Sequence, residues 1–276
     1  MNNIVRSFFV FVTLSVAVPG FGQQRSPYRT DFGIDAPITG ALIIGTAVGL
    51  NGMQKKDGIS DGEAFALRRE DVNRFDRFAA GYSSESAKRL SDYPFYGSLA
   101  APVALFLLDR DMSKKFGQLG ALYIQTLAVT GTIFTSTVAL TERSRPLAYN
   151  ASLDIDQRSN RNSTNSFFAG HTAATATATF FMAKVFNDFH PNSQARPYVW
   201  AAAAAVPATV GYLRLRAGKH FLSDNLIGYA VGAGAGILVP HLHKVNRSGK
   251  GFSLLPVQGF TPNGHSYSGF SLTRQL

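Results

Sequence analysis

Gly117–Thr141, GQLGALYIQTLAVTGTIFTSTVALT, is the longest stretch of this chain without Asp, Glu, Lys or Arg. A run of this length without period-two alternation predicts a helix buried in protein or in lipid. Further apolar segments lie on both sides of it: Ala36–Gln54, Phe95–Leu108, Thr172–Ala183, Pro197–Leu213 and Asn225–Pro240. Phe95–Leu108 is short and is interrupted by Pro102. Asp57–Asp92 is dense in charge, with Phe75, Phe78, Ala79 and Tyr82 at helical spacing, which predicts an amphipathic surface helix. Only at the end does the pattern change. There Phe252–Phe260 and Ser266–Thr273 flank Pro262-Asn263-Gly264-His265, whose Asn-Gly pair favours a tight turn, while Pro256 confines its strand to an edge. The fold class expected is all-α, a helical bundle with a short C-terminal β-hairpin. The expected division is 1–22 signal peptide, 23–94 apolar and amphipathic helices, 95–245 helical core, and 246–276 tail.

The chain has 276 residues, no cysteine and a net charge of +10. Its length suits one substantial core, and thiolate metal sites and disulfides are excluded. The basic balance suits phosphorylated substrates or anionic lipid. No recognition-helix, zinc-finger or aromatic-basic RNA motif accompanies it, so nucleic acid is not an expected partner. Asn2–Arg6 is short and basic, Phe8–Val18 is apolar, and Gly20-Phe21-Gly22 offers small residues for cleavage before Gln23. This is the pattern of an export signal, and it places the protein in the cell envelope, facing the periplasm.

If the apolar helices span a membrane, Ala36–Gln54 and Gly117–Thr141 cross it before Arg145, and Phe95–Leu108 is too short to cross. Arg110, Lys114 and Lys115, and the tail bearing Lys244, Arg247 and Lys250, then fall inside, as positive charge prefers. A water-soluble periplasmic bundle is the competing expectation, because the mean hydropathy is only +0.02.

Three short blocks carry the chemistry. They are Arg145-Pro146, then Gly170-His171, then Arg214 with His220 and Asp224 following. Arginine supplies planar, permanently charged donors to a tetrahedral phosphate. Gly170 allows close backbone approach, and His171 opens a helix whose first amides favour an anion. His220 and Asp224 stand at i and i+4, so the carboxylate is expected to hold one ring nitrogen while the other attacks. Each block lies at a helix boundary, and the predicted topology puts all of them on one face.

That order resembles the type 2 phosphatidic acid phosphatase family, which also includes the vanadium-dependent haloperoxidases. The family pattern is Lys-x6-Arg-Pro, Pro-Ser-Gly-His and Ser-Arg-x5-His-x3-Asp. Here the positions read Val138-x6-Arg145-Pro146, Phe168-Ala169-Gly170-His171 and Leu213-Arg214-x5-His220-x3-Asp224, and the resemblance covers about Gly117 to Leu238. It implies that His220 is a nucleophile forming a phosphohistidine, that Asp224 orients it, and that His171 protonates the leaving group. Arg145 and Arg214 would bind the phosphoryl oxygens. The resemblance implies a metal-independent phosphatase without cofactor, acting on a phosphomonoester or diphosphate, with a lipid phosphate preferred. Vanadate is the expected phosphate mimic, and a haloperoxidase is the rival activity. A non-catalytic phosphate- or lipid-binding relative is the other rival, because Val138, Phe168, Ala169 and Leu213 all depart from the pattern. Val138 replaces a charged donor; Arg143 and Lys219 are the residues expected to compensate. Gly232-Ala233-Gly234-Ala235-Gly236 reads as close helix packing, and His241 and His243 point apart on a helix, which argues against a metal pair. Oligomeric state is not legible.

Overall fold

The structure, a computed structural model, describes residues 26–245, 252–260 and 266–274. The expected signal segment and the Asn263-Gly264 turn lie outside the described residues. The described residues up to His243 form one compact unit, and those from Lys244 onward form a second. The first unit contains six long helices among its described residues: α1 Phe32–Lys55, α2 Glu85–Leu108, α3 Phe116–Leu140, α4 Gly170–Phe189, α5 Arg196–Arg216 and α6 Leu222–Leu242. In the second unit, Phe252–Phe260 and Ser266–Arg274 pair antiparallel, in a register running from Phe252 opposite Arg274 to Phe260 opposite Ser266.

Two expectations are corrected between residues 57 and 108. The charged segment is not one amphipathic helix. It forms a short helix, Asp61–Ala66, and two single 3₁₀ turns, Arg69–Asp71 and Arg77–Ala79. Side chains satisfy its backbone in place of helical bonds: Arg69 and Arg77 donate to the carbonyls of Arg77, Phe78, Val72 and Glu70. Asn73 accepts from the Asp76 amide at 3.0 Å, which closes a local turn that competes with helix. The helix proper starts at Glu85, capped by Ser84, whose hydroxyl accepts from the Ala87 amide at 3.2 Å. Phe95–Leu108 is therefore the C-terminal half of one 24-residue helix, α2, which runs through the boundary expected after residue 94. The polar first turns of α2 hid its beginning.

Small residues set the closest helix approaches. On α6, Gly228, Gly232 and Gly236 recur every fourth residue and face α4. A Cβ on each would lie 2.6 Å from the Ala169 oxygen, 2.1 Å from the Ala173 oxygen and 2.7 Å from the Thr177 oxygen, respectively. Only glycine permits that separation. Gly45, Gly49 and Gly52 do the same for α1 on α3, against Thr132, Thr135 and Ala139. Thr46 and Thr132 hydroxyls lie 3.1 Å apart across this seam. A buried cluster of Phe106, Met112, Leu119, Leu122, Tyr123, Phe181 and Val185 ties α2, α3 and α4 together.

α1, α3 and α6 are long and apolar enough to cross a membrane. Along α1, Ile34, Ile38, Ile44 and Val48 are exposed. The helix therefore offers apolar side chains outward as well as a glycine face inward. α4 and α5 do not meet the same standard of length and hydropathy.

Candidate active site

Two backbone junctions draw the three blocks together. The loop after α3 runs beside the segment before α4: Arg143 N donates to Thr164 O at 3.0 Å, Arg145 N to Ser163 O at 2.8 Å, and Ser166 N to Arg143 O at 3.1 Å. The turn between α5 and α6 then docks on the Arg-Pro block, where Leu147 N donates to Gly218 O at 3.0 Å. Gly218 sits at φ +67°, and a Cβ there would be 1.7 Å from the Tyr82 oxygen. No other residue type fits this position.

Arg145, Arg214 and Lys219 form a cationic cluster. Among the described residues, none of the three has a carboxylate within ion-pair distance. Among the described residues the Arg145 side chain makes only long hydrogen bonds, 3.4 Å from Nε and from Nη2 to the Asn165 carbonyl, and the Nε of the buried Arg214 has no hydrogen-bond partner. Burial first, then the neighbouring Arg214, push Arg145 down to about 10. Lys219 is lowered to about 8 by burial, Arg145, Lys88 and Arg214, against a smaller opposing effect of Glu85. Mutually repelling cations with an orphaned donor describe a site preorganised for an anion.

The histidines complete the pocket. His220 is buried, and its Nδ1 lies 2.6 Å from the Ser166 carbonyl oxygen. A carbonyl only accepts, so Nδ1 carries the hydrogen and Nε2 carries the lone pair. Burial, then Arg145 and Arg214, hold His220 well below the ordinary histidine range, so the ring is neutral at pH 7. His171 packs its ring on Phe95 with centroids 4.2 Å apart, and its Nε2 stands 3.8 Å from Asp92 Oδ1. Burial and Arg214 lower it to about 4, with Asp92 opposing. Ala169 N donates to Asp224 O at 3.1 Å and Thr172 Oγ1 to Asn225 Oδ1 at 2.7 Å, so the segments that carry His171 and His220 lie side by side.

Two expected contacts are corrected. Asp224 makes no hydrogen bond to His220. It accepts from Ser166 Oγ at 2.6 Å, from Phe221 N at 2.8 Å and from Arg143 Nη1. Arg143 is not available for phosphate, because it is bound to Asp224, to Ser223 Oγ at 2.9 Å and to Asp76 at 2.7 Å. Packing also favours glycine at position 170, where a Cβ would meet the Phe134 ring at 2.6 Å. Val138 is fully buried, and Lys56 reaches its carbonyl at 2.9 Å and that of Thr141, capping the end of α3. Lys219 is the one expected substitute for the missing lysine that stands with Arg145 and Arg214.

Sequence reasoning missed Ser166, Asp76, Asp92 and Phe95. Ser166 lies just before the second block and acts partly through its backbone, which no side-chain pattern reveals. Asp92 and Phe95 sit in the half-polar part of α2 whose helical state was not legible. Among the described residues, no group of three or more His, Asp or Glu is placed to hold a metal ion.

Comparison with known proteins gives residues 119–248 as a match to the PAP2 superfamily. No curated protein sequence matches the chain. Two solved structures are similar to it. One is the first transmembrane PAP2 type phosphatidylglycerolphosphate phosphatase from Bacillus subtilis, with 17% identity, a TM-score of 0.48, and coverage of 78% of this chain and 98% of that one. The other is Aquifex aeolicus LpxE, with 18% identity, a TM-score of 0.42, and coverage of 63% and 98%.

Proposed function

Residues 119–248 belong to the PAP2 superfamily, and from that premise we propose that this chain is a metal-independent phosphatase working through a phosphohistidine. The observation that carries the reading is the pairing of Arg214, buried with an unpartnered Nε, with a neutral His220 whose Nε2 is left free. Arg145, Arg214 and Lys219 hold the non-bridging oxygens of a phosphomonoester or terminal diphosphate. His220 Nε2 attacks phosphorus, the bond to the leaving oxygen breaks, and His171 delivers a proton to that oxygen. Water then attacks the phosphohistidine, His171 takes its proton, and phosphate departs with His220 regenerated.

For His171 the protonation order follows from charge. In the empty pocket burial, then Arg214 and Arg145, keep it deprotonated, and a bound phosphate anion offsets the arginines and raises its affinity for a proton. A lipid phosphate is the preferred substrate class. Its support is that the pocket is built at the ends of helices, among them α3 and α6, that are long and apolar enough for a bilayer, so the head group would meet the cations while the chains stay in lipid.

The test is inorganic phosphate release from a panel of lipid and soluble phosphates, by wild type and His220→Ala in parallel. Release by wild type alone, greatest on lipid phosphates, is the expected result. Binding of phosphate without turnover on any panel member would leave the protein a binding module.

A further inference from the structure

We infer that Asp76, which lies outside the segment matched to the family, positions the attacking nitrogen of His220 through a chain of hydrogen bonds; this rests on the phosphatase reading above. Asp76 is fully buried. Its carboxylate accepts from Ser223 N at 3.0 Å, Ser223 Oγ at 2.6 Å, Arg143 Nη2 at 2.7 Å and Asn73 Nδ2 at 3.0 Å. Burial alone would raise this carboxyl, but the donors from Ser223, Asn73 and Arg143 together hold it below its ordinary value. Arg143 then carries the connection onward, from Nη1 to Ser223 Oγ at 2.9 Å and to Asp224 Oδ1. The other oxygen of Asp224 accepts from Ser166 Oγ at 2.6 Å and from Phe221 N at 2.8 Å. Ser166 finally accepts the His220 Nδ1 hydrogen on its carbonyl at 2.6 Å.

Every link is a direct contact, and the chain grips His220 on two sides. Phe221, held by its amide, is its neighbour in sequence, and Ser166 is its hydrogen-bond acceptor. A simple stabilising ion pair would need one carboxylate for Arg143. Here the guanidinium is bridged between two, and the second of them fixes the residues that aim the ring. Asp76 touches neither substrate nor ring, so it is a positioning residue. Losing it would let Arg143 recentre on Asp224 and shift Ser166. A displacement of about 1 Å at a reacting atom costs on the order of 10²-fold in rate.

Asp76→Asn keeps the shape but presents an amide to a ring of donors. On a substrate that wild type hydrolyses, kcat is expected to fall about 10- to 100-fold. KM and inhibition by inorganic phosphate should stay within about twofold, because Arg145, Arg214 and Lys219 lie outside the relay. Nitrogen-15 NMR of His220 should show a single Nδ1–H tautomer in wild type and a mixture in the variant. If Asp76→Asn does not fold, Ser166→Ala removes the last side-chain link and is read in the same way. Unchanged kcat with an unchanged His220 tautomer overturns the relay, as does a loss of phosphate affinity in step with kcat, which would mean a collapsed pocket. If wild type hydrolyses nothing, the phosphatase reading fails, and the tautomer measurement still decides whether Asp76 orients the ring.

Discussion

Arg143 is bonded to Asp224, so two residues that the sequence offers for separate tasks satisfy each other. Arg143 was the candidate replacement for a missing phosphate-binding lysine, and Asp224 the candidate holder of His220. Their mutual bond removes Arg143 from the phosphate and turns Asp224 toward Ser166 and Phe221. Arg143→Ala leaves Asp76 and Asp224 without their shared cation, and breaking such a pair costs about 3 kcal/mol or more. Urea unfolding is expected to show this loss. An Arg143→Ala protein as stable as wild type would contradict the bridging role.

Lys219 should behave in the opposite way. Among the described residues it has no carboxylate within ion-pair distance, and Arg145, Lys88 and Arg214 repel it against a smaller attraction to Glu85, so Lys219→Ala should leave the melting temperature unchanged or raised. Turnover should fall on the order of 10²–10³-fold, the usual cost of losing one charged donor to a transition-state oxyanion. Steady-state kinetics beside a thermal melt would separate the two effects; wild-type turnover in Lys219→Ala would exclude it from the pocket.

The proton equilibria give a signed expectation. Lys219 is lowered from 10.5 to about 8, so between those values the unfolded chain binds more protons and stability rises with pH. His171 is lowered from 6.5 to about 4, so stability is lost as pH falls through that window. Phosphate or vanadate should raise the melting temperature at pH 7, where Lys219 is charged, more than at pH 9.5. Equal shifts at both values would show that Lys219 does not meet the anion.

Asp92 opposes the depression of His171, standing 3.8 Å from its Nε2. Asp92→Asn removes that opposition, so the limb of the pH–rate profile that requires protonated His171 should move to lower pH. An unmoved limb would mean that Asp92 does not act on the acid.

The α4–α6 seam supplies a packing test with its own control. A Cβ on Gly232 would fall 2.1 Å from the Ala173 oxygen, whereas one on Gly234 meets nothing within 4 Å. Gly232→Ala should separate the helices that carry His171 and Asp224 and lower stability and activity together. Gly234→Ala should leave activity unchanged and stability unchanged or slightly raised, since alanine favours a helix interior over glycine.

Much of this architecture was legible because it rests on composition along single helices. The apolar run at 117–141 became α3, and the glycines at 232 and 236 mark a close helix contact. What was hidden depends on partners distant in sequence. Asp76 lies in a charged segment whose helical spacing suggested a surface helix, while Arg69 and Arg77 hold it as a loop through backbone carbonyls that no pattern records. Arg145, Arg214, His171 and His220 were readable as candidate site residues because their order and spacing resemble a known family. Which of them touch was not readable, and it was there that Asp224 and Arg143 changed roles.

In the proposed mechanism His220 carries the phosphoryl group. The most direct measurement is acid-stable or base-stable radiolabel retained after brief mixing with a phosphate-labelled lipid substrate and rapid denaturation. Base-stable, acid-labile label on wild type, mapped to the peptide bearing His220 and missing from His220→Ala, is the expected result. Turnover that persists in His220→Ala, or label on another residue, would contradict it.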